Sequence, residues 1–331
     1  MTIDFALTTE QTLLEQTVSA FAERGLRPAE RSREEARALA EDTRRALDAL
    51  GLEATLGEPG GEGAGALERC LALEPLGWGD AGAALAWLGP PLARALARRL
   101  GVPEAVAARV GFVELQERSD EPLAWLPIAA PTPVLLFSPD GAWRVAAVEG
   151  AIAPSLGLLA AGGLAVRAAT TLAEGRADRA AAEHAQAELL LSGAALLAGV
   201  GRAALEHAQR YLQERVAFGK PLAQHQGLAF AFADVVMRLE AARWLLRAAA
   251  WLRDRADGES ARRASDAEIA RAWLECRDAA LFATERGVQL LGGHGYMRAH
   301  PVEKWMRDAR TLALIWGGED LALELAARAE A

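Results

Sequence analysis

The sequence predicts a mainly α-helical protein with a small β unit in its middle. Three observations carry that expectation. Apolar residues recur at helical spacing through both ends of the 331-residue chain, and strand-like alternation is confined to one short central zone. A turn sequence, "SPDG", also sits between two runs inside that zone. The boundaries read as a helical unit over 1–109, a reduced β unit over 110–185 and a helical bundle over 186–331.

In the first zone, Thr8 or Thr9 can cap a helix whose stripe includes Leu13, Leu14, Val18 and Phe21. A second helix is expected from about Arg31 to Leu50, stopping at Gly51. The glycine-rich "GEPGGEGAGAL" reads as a loop, and two further helical segments follow, separated by "GPP" at Gly89 to Pro91. In the middle zone, "PVLLFSPDGAWRVAAVEG" reads as two strands around a turn, and "LAVRAATTLAEG" as one more. In the last zone, Leu228, Phe232, Val235, Leu239, Ala242, Leu246 and Ala249 alternate steps of four and three, the stripe of a long bundle helix. A second long helix is expected from about Ser265 to Leu291, after a polar linker "DRADGESARRAS".

Composition removes several functions. The formal net charge is −9 and basic residues are interleaved with acidic ones, so no stripe exists to neutralise nucleic-acid phosphates. The two cysteines and five histidines lack metal-ligand spacing, which predicts no metal site and free thiols in a reducing compartment. The N-terminus lacks a basic and apolar leader, and the longest apolar runs are broken by Pro, Gly or Ser. The expectation is a cytoplasmic chain with no membrane span.

Two stretches carry a resemblance. "YLQERVAFGKPLAQHQGLAFAFADVVMRLEAAR" and "VQLLGGHGYMRAHPVEKWMRDAR" resemble, in order and separation, the C-terminal motifs of the acyl-CoA dehydrogenase family. "FALTTEQ", "LGLEATLGEPGGEGAG" and "LEPLGWGDAG" resemble its opening helices more loosely. The resemblance implies an N-terminal helical domain, a reduced central β domain and a C-terminal four-helix bundle. It also implies FAD-dependent oxidation of the α–β bond of an acyl-CoA thioester, in which FAD accepts a hydride and a glutamate removes the α proton.

By that resemblance Arg215 would bind the FAD pyrophosphate through charge-assisted hydrogen bonds. Phe218 would pack near the flavin, and Gln226 would bond near the adenine. Gln289 with Gly292 and Gly293 would meet the dinucleotide across a subunit interface, followed by Tyr296. The family's own-subunit flavin contacts, a Thr-Glu-Pro…Gly-Ser-Asp segment and a Lys-x-Trp-x-Thr strand, are missing; "GFVELQERSDEPLAWLP" stands in the place of the first. Trp316 stands where the catalytic glutamate is expected, and Gly318 where a threonine follows it. The alternative glutamate position falls on Leu189 or Leu190, one residue from Glu188.

The resemblance therefore implies a degenerate subunit of a hetero-oligomer, α2β2 in the simplest case. It would lend FAD contacts to a homologous catalytic subunit that oxidises an acyl-CoA, bulky steroid-derived ones included, with electron-transfer flavoprotein as electron acceptor. The alternatives are a self-sufficient dehydrogenase whose base has moved to Glu319, or a flavin-free scaffold or acyl-CoA-binding protein.

Overall fold

The computed structural model describes residues 6–52 and 65–328. Helix α1 (Thr9–Phe21) begins at Thr8, whose hydroxyl accepts from Gln11 N–H while the Gln11 side chain accepts from Thr8 N–H. This is a reciprocal capping box. Val18 is buried on its inner face, whereas Leu13 is largely exposed. The single helix expected from Arg31 to Leu50 is two, α2 (Glu30–Ala36) and α3 (Glu41–Asp48). Arg37 separates them with a left-handed φ of 53°, a signal that an arginine does not advertise in sequence. Most of "GEPGGEGAGAL" lies outside the described residues.

Helix α4 (Ala66–Arg99) corrects another expectation. It passes straight through "GPP" and kinks instead at Asp80, the one residue inside it with non-helical dihedrals. Pro90 and Pro91 each remove a backbone donor and crowd the carbonyl four residues earlier, yet the dihedrals there stay helical. Burial of Trp87, Leu88 and Leu92 on either side holds that turn. At the kink, Asp80 Oδ1 accepts from Ala83 N–H and restarts the helix as a cap. A short helix α5 (Glu104–Ala107) leads to the sheet.

The sheet has five strands in the order β1-β3-β4-β5-β2: β1 (Phe112–Leu115), β2 (Trp125–Leu126), β3 (Pro133–Phe137), β4 (Ala142–Ile152) and β5 (Leu164–Arg176). The hairpin around "SPDG" forms as expected, with Ser138 N–H bonded to Ala142 O. Strands β1 and β2 were not foreseen; β1 runs parallel to β3 and the remaining pairs are antiparallel. The outer part of β5, Arg167 to Leu172, is exposed.

Three long helices make the bundle: α6 (Arg179–Glu214), α7 (Gln226–Asp254) and α8 (Gly258–Leu290). The expected stripe of α7 is the packed one, with Val235, Leu239, Ala242, Leu246 and Ala249 buried. The supposed polar linker is largely the first turns of α8, which starts at Gly258. Helix α6 is apolar and long enough to cross a membrane, but 89% of its most apolar window is buried inside the protein. It is the central core helix, packed on α8 and α4. It crosses α4 so closely that a Cβ on Gly199 would lie 2.1 Å from Glu74 O, and one on Gly77 would lie 2.4 Å from Leu196 O. Only glycine permits that approach. Helices α9 (Val302–Leu312) and α10 (Gly318–Ala327) close the chain.

Buried charges tie these layers together. Lys304 on α9 is 2% exposed, 2.6 Å from Asp308 and 3.5 Å from Asp80. Burial alone would lower its pKa, but Asp308, Asp80 and Glu30 outweigh it and hold the ammonium charged. Arg33 on α2 reaches Asp80 at 2.8 Å, and Trp305 Nε1–H donates to Glu30 at 2.9 Å. Asp308 also accepts from Leu158 N–H at 2.6 Å, beyond the end of β4. Removing one member leaves an uncompensated charge in the core, a cost of about 3–5 kcal/mol. Asp80→Ala should therefore lower the urea midpoint sharply, while Arg45→Ala, which breaks an exposed pair with Glu41, should leave it nearly unchanged.

Candidate functional site

Two places have the makings of a site, and the residues foreseen from sequence fall mostly at one of them. That place is one end of the bundle. Helix α6 ends at Glu214, and the chain turns through a small ribbon, β6 (Val216–Ala217) and β7 (Lys220–Pro221), into α7. Arg215 caps α6 through its N–H to Tyr211 O, and Leu222 N–H returns to Arg215 O. The Arg215 side chain is exposed and has no ion pair among the described residues. Phe218 is 97% exposed at a left-handed φ of 53°, its ring held edge-on to His225 at 6.2 Å. An aromatic ring fully in water on a costly backbone conformation is not there for the stability of this chain. Gln226 opens α7 and is also exposed.

The glycine segment joins the same end. After Gln289, which is exposed, α8 runs into a 3-10 turn over Gly292–Tyr296. Tyr211 O–H and His294 Nδ1 lie 2.7 Å apart, tying this turn to α6 one helical turn before Arg215. His294 stacks on His300 at 5.7 Å, and His300 Nδ1 lies 3.1 Å from His207 Nε2. Burial, then His300, Arg210 and Arg27, push His207 down to about 4, so it stays neutral near pH 7. Sequence reading missed Tyr211 and these histidines because their meeting depends on the packing of α6 against α8.

The glycines themselves divide. A Cβ on Gly295 would lie 2.3 Å from Val288 O, so packing requires that one. Gly292 has φ +59°. At Gly293 and Gly227 there is neither a positive φ nor any atom within 4 Å of a built Cβ. Among the described residues nothing asks for glycine at those two positions. Around them Val216, Phe230, Tyr296 and Met297 are exposed.

The second place is a cavity of about 720 Å³ between the sheet and the α9–α10 corner. Trp316 does not enter it as an open group. It is 2% exposed, its indole N–H donates to Val113 O at 3.1 Å, and its ring packs by Gly193 near Trp273. Trp316, Gly317 and Gly318 all have left-handed φ, of 60°, 86° and 59°. Leu189 and Leu190 are buried core side chains. Glu188 is a buried carboxylate surrounded by Arg69, Arg99 and Arg253, not the exposed group its neighbourhood in sequence suggests. Burial would raise its pKa, but the three guanidinium groups prevail and lower it. Glu319 is exposed and paired with Arg277 at 2.6 Å; Asp320 and Glu324 line the cavity instead.

The cavity's notable group is Glu114 on β1, within "GFVELQERSDEPLAWLP", which sequence reading did not single out. Its Oε1 accepts from Trp316 N–H at 2.5 Å, and Gly317 and Leu115 N–H add to the cradle. Burial raises its pKa to about 8 against those donors, and no cation stands nearby to reverse the effect. The wall also carries Glu117, Glu121, Asp320 and Glu324, with no Lys or Arg among its described residues.

The linkage sign follows. Between about pH 4.5 and 8 the folded state holds a proton on Glu114 that the unfolded chain has released, so stability falls as pH rises through that window. Glu114→Gln keeps an acceptor for Trp316 N–H and removes the titration. Its unfolding free energy, measured by urea titration, should match wild type near pH 4.5 and exceed it increasingly toward pH 8, by an amount on the order of a few kcal/mol. A constant difference across that range would refute the assignment.

Comparison with known proteins places this geometry. The acyl-CoA dehydrogenase N-terminal domain matches residues 8–104 and the C-terminal domain matches residues 189–330. An acyl-CoA dehydrogenase of Bacillus subtilis strain 168 is 40% identical over 128 residues, 39% of this chain and 32% of that protein. The matched stretch thus spans about a third of such curated relatives. In fold the agreement is chain-long. Butyryl-CoA dehydrogenase from Megasphaera elsdenii superimposes with a TM-score of 0.78 over 99% of this chain and 100% of that one, at 22% identity. The ChsE4-ChsE5 complex from Mycobacterium tuberculosis gives 0.76 over 98% of each chain, at 21% identity. With both of its helical domains matched in order around a small sheet, the chain belongs to the acyl-CoA dehydrogenase family.

Proposed function

We propose that this chain is a non-catalytic subunit of a hetero-oligomeric, FAD-dependent acyl-CoA dehydrogenase, lending cofactor contacts to a homologous catalytic subunit. The observation that carries the reading is the bare glycines Gly227 and Gly293 at the same bundle end as exposed Gln226, Gln289 and Phe218 and as Arg215, which has no ion pair among the described residues. Gly227 stands exposed in the first turn of α7, where no described neighbour requires glycine, so its reason is sought outside the chain. Close approach of a partner-held ligand supplies one.

FAD fits this face. Arg215 would take the pyrophosphate, the glycine segment would offer backbone N–H groups, and the two glutamine amides would bond the adenosine part. The cavity fits it poorly: the carboxylates of Glu117, Glu121, Asp320 and Glu324, with no Lys or Arg among its described residues, repel a diphosphate, and Trp316 presents no base. FAD, when bound, supplies the hydride acceptor. This chain's residues hold one side of it and exclude water, while proton removal falls to the partner's site. An α2β2 assembly suits such a division, and a neighbour in fold is itself a complex of two named proteins. Electron-transfer flavoprotein would reoxidise the complex.

Expression alone and with its homologous partner tests the reading. Visible flavin absorbance is expected only in the complex, and Arg215→Ala there should weaken FAD roughly 10- to 100-fold, the worth of a charged hydrogen bond. Stoichiometric FAD and turnover in the chain alone would overturn it. Full FAD occupancy in an Arg215→Ala complex would favour a flavin-free scaffold. A self-sufficient dehydrogenase is the second reading, favoured by Glu114 as a carboxyl facing the cavity. Under it, turnover by the chain alone would vanish in Glu114→Gln.

A further inference from the structure

A separate cavity of about 310 Å³ lies between the N-terminal helices and the sheet, far in sequence from every residue placed at the bundle end. Its wall is built from Leu39, Leu85, Pro90, Phe112 and Ile128 with several alanines and glycines. Among the described residues of that wall Arg44 alone is charged, and Thr132 alone adds another polar side chain. Arg44 sits on α3, where the neighbouring charges are already engaged. Arg45 pairs with Glu41, and Asp48 accepts from Trp87 Nε1–H at 2.7 Å. Asp42, two residues away, lies off Arg44's face of the helix. The Arg44 guanidinium has no hydrogen bond or ion pair among the described residues, and neither does the Thr132 hydroxyl have a hydrogen bond there.

A half-buried guanidinium at an apolar cavity, with no carboxylate of its own, has the form of half an ion pair. We propose that this cavity binds a short-chain aliphatic carboxylate, its tail among Leu39, Leu85 and Phe112 and its carboxylate on Arg44. The volume stands at the lower end of the roughly 300–1,000 Å³ typical of ligand pockets, which selects a short chain. Arginine's planar fork suits a carboxylate in two parallel hydrogen bonds, with Thr132 as a neighbouring donor. Tail burial adds affinity at about fourfold per methylene until the cavity is full. This inference is independent of how the chain uses FAD.

The test titrates hexanoate into the full chain by isothermal calorimetry, with 1-hexanol as the uncharged analogue and butyrate as the shorter acid. Hexanoate should bind at least about tenfold more tightly than hexanol, as a charged hydrogen bond requires. Butyrate should be weaker than hexanoate by about fourfold for each methylene lost. Arg44→Gln should bring hexanoate down to the level of hexanol without moving the melting temperature. Ala86→Leu, which fills the cavity and keeps the charge, should weaken the acid and the alcohol alike. No measurable binding of hexanoate to wild type, or equal binding by wild type and Arg44→Gln, would overturn the proposal.

Discussion

The ammonium of Lys304 is the point on which the three layers of this protein agree. It is buried on α9, and its counter-charges come from α9 itself, from the kink of α4 and from α2. A charge withdrawn from water is tolerated only where its partners are fixed. Asp80 is fixed because it caps the second half of α4, and Asp308 because it also accepts from Leu158 N–H. Around this centre runs a more exposed ring, in which Arg31 and Arg307 each pair with both Glu34 and Glu303. The "PVEKWMRDAR" stretch thus earns its place in the chain as a structural clasp, binding the N-terminal helices to the corner where the cavity lies.

Electrostatics then separates the two ends of the molecule. The cavity side gathers carboxylates without a cation, which suits neither a diphosphate nor any other polyanion. The bundle end presents a guanidinium with no ion pair among the described residues, amide side chains and bare backbone. That contrast underlies the proposal that the chain serves a cofactor held elsewhere, since one surface has what a dinucleotide needs and the interior does not.

Much of this was legible in the sequence, for physical reasons that differ by element. The α7 stripe was readable because one face packs on α6 and α8, so periodicity reports packing directly. The "SPDG" hairpin was readable because a turn's dihedrals restrict its residues locally. The kink of α4 was not, because "GPP" is a stronger local breaker than Asp80 and only the surrounding core decides between them. Strands β1 and β2 were hidden by their shortness, and β1 gains its place by pairing with β3 in parallel, a long-range choice. The residues of the bundle end were found through motif resemblance, and the structure sets them beside one another. Glu114 escaped notice because its chemistry comes from the N–H groups of Trp316 and Gly317, some 200 residues away in sequence.

Trp316 also limits what its own position can hold. Its indole fills space beside Gly193 and Trp273 and donates its N–H to Val113 O, while its backbone N–H donates to Glu114. A glutamate at this one position would empty a large core volume and set a second carboxyl close to Glu114. The corner is interlocked: the indole needs the space that Gly193 leaves open, and the backbone beneath it is held by Glu114. A single substitution at any of the three therefore disturbs the other two.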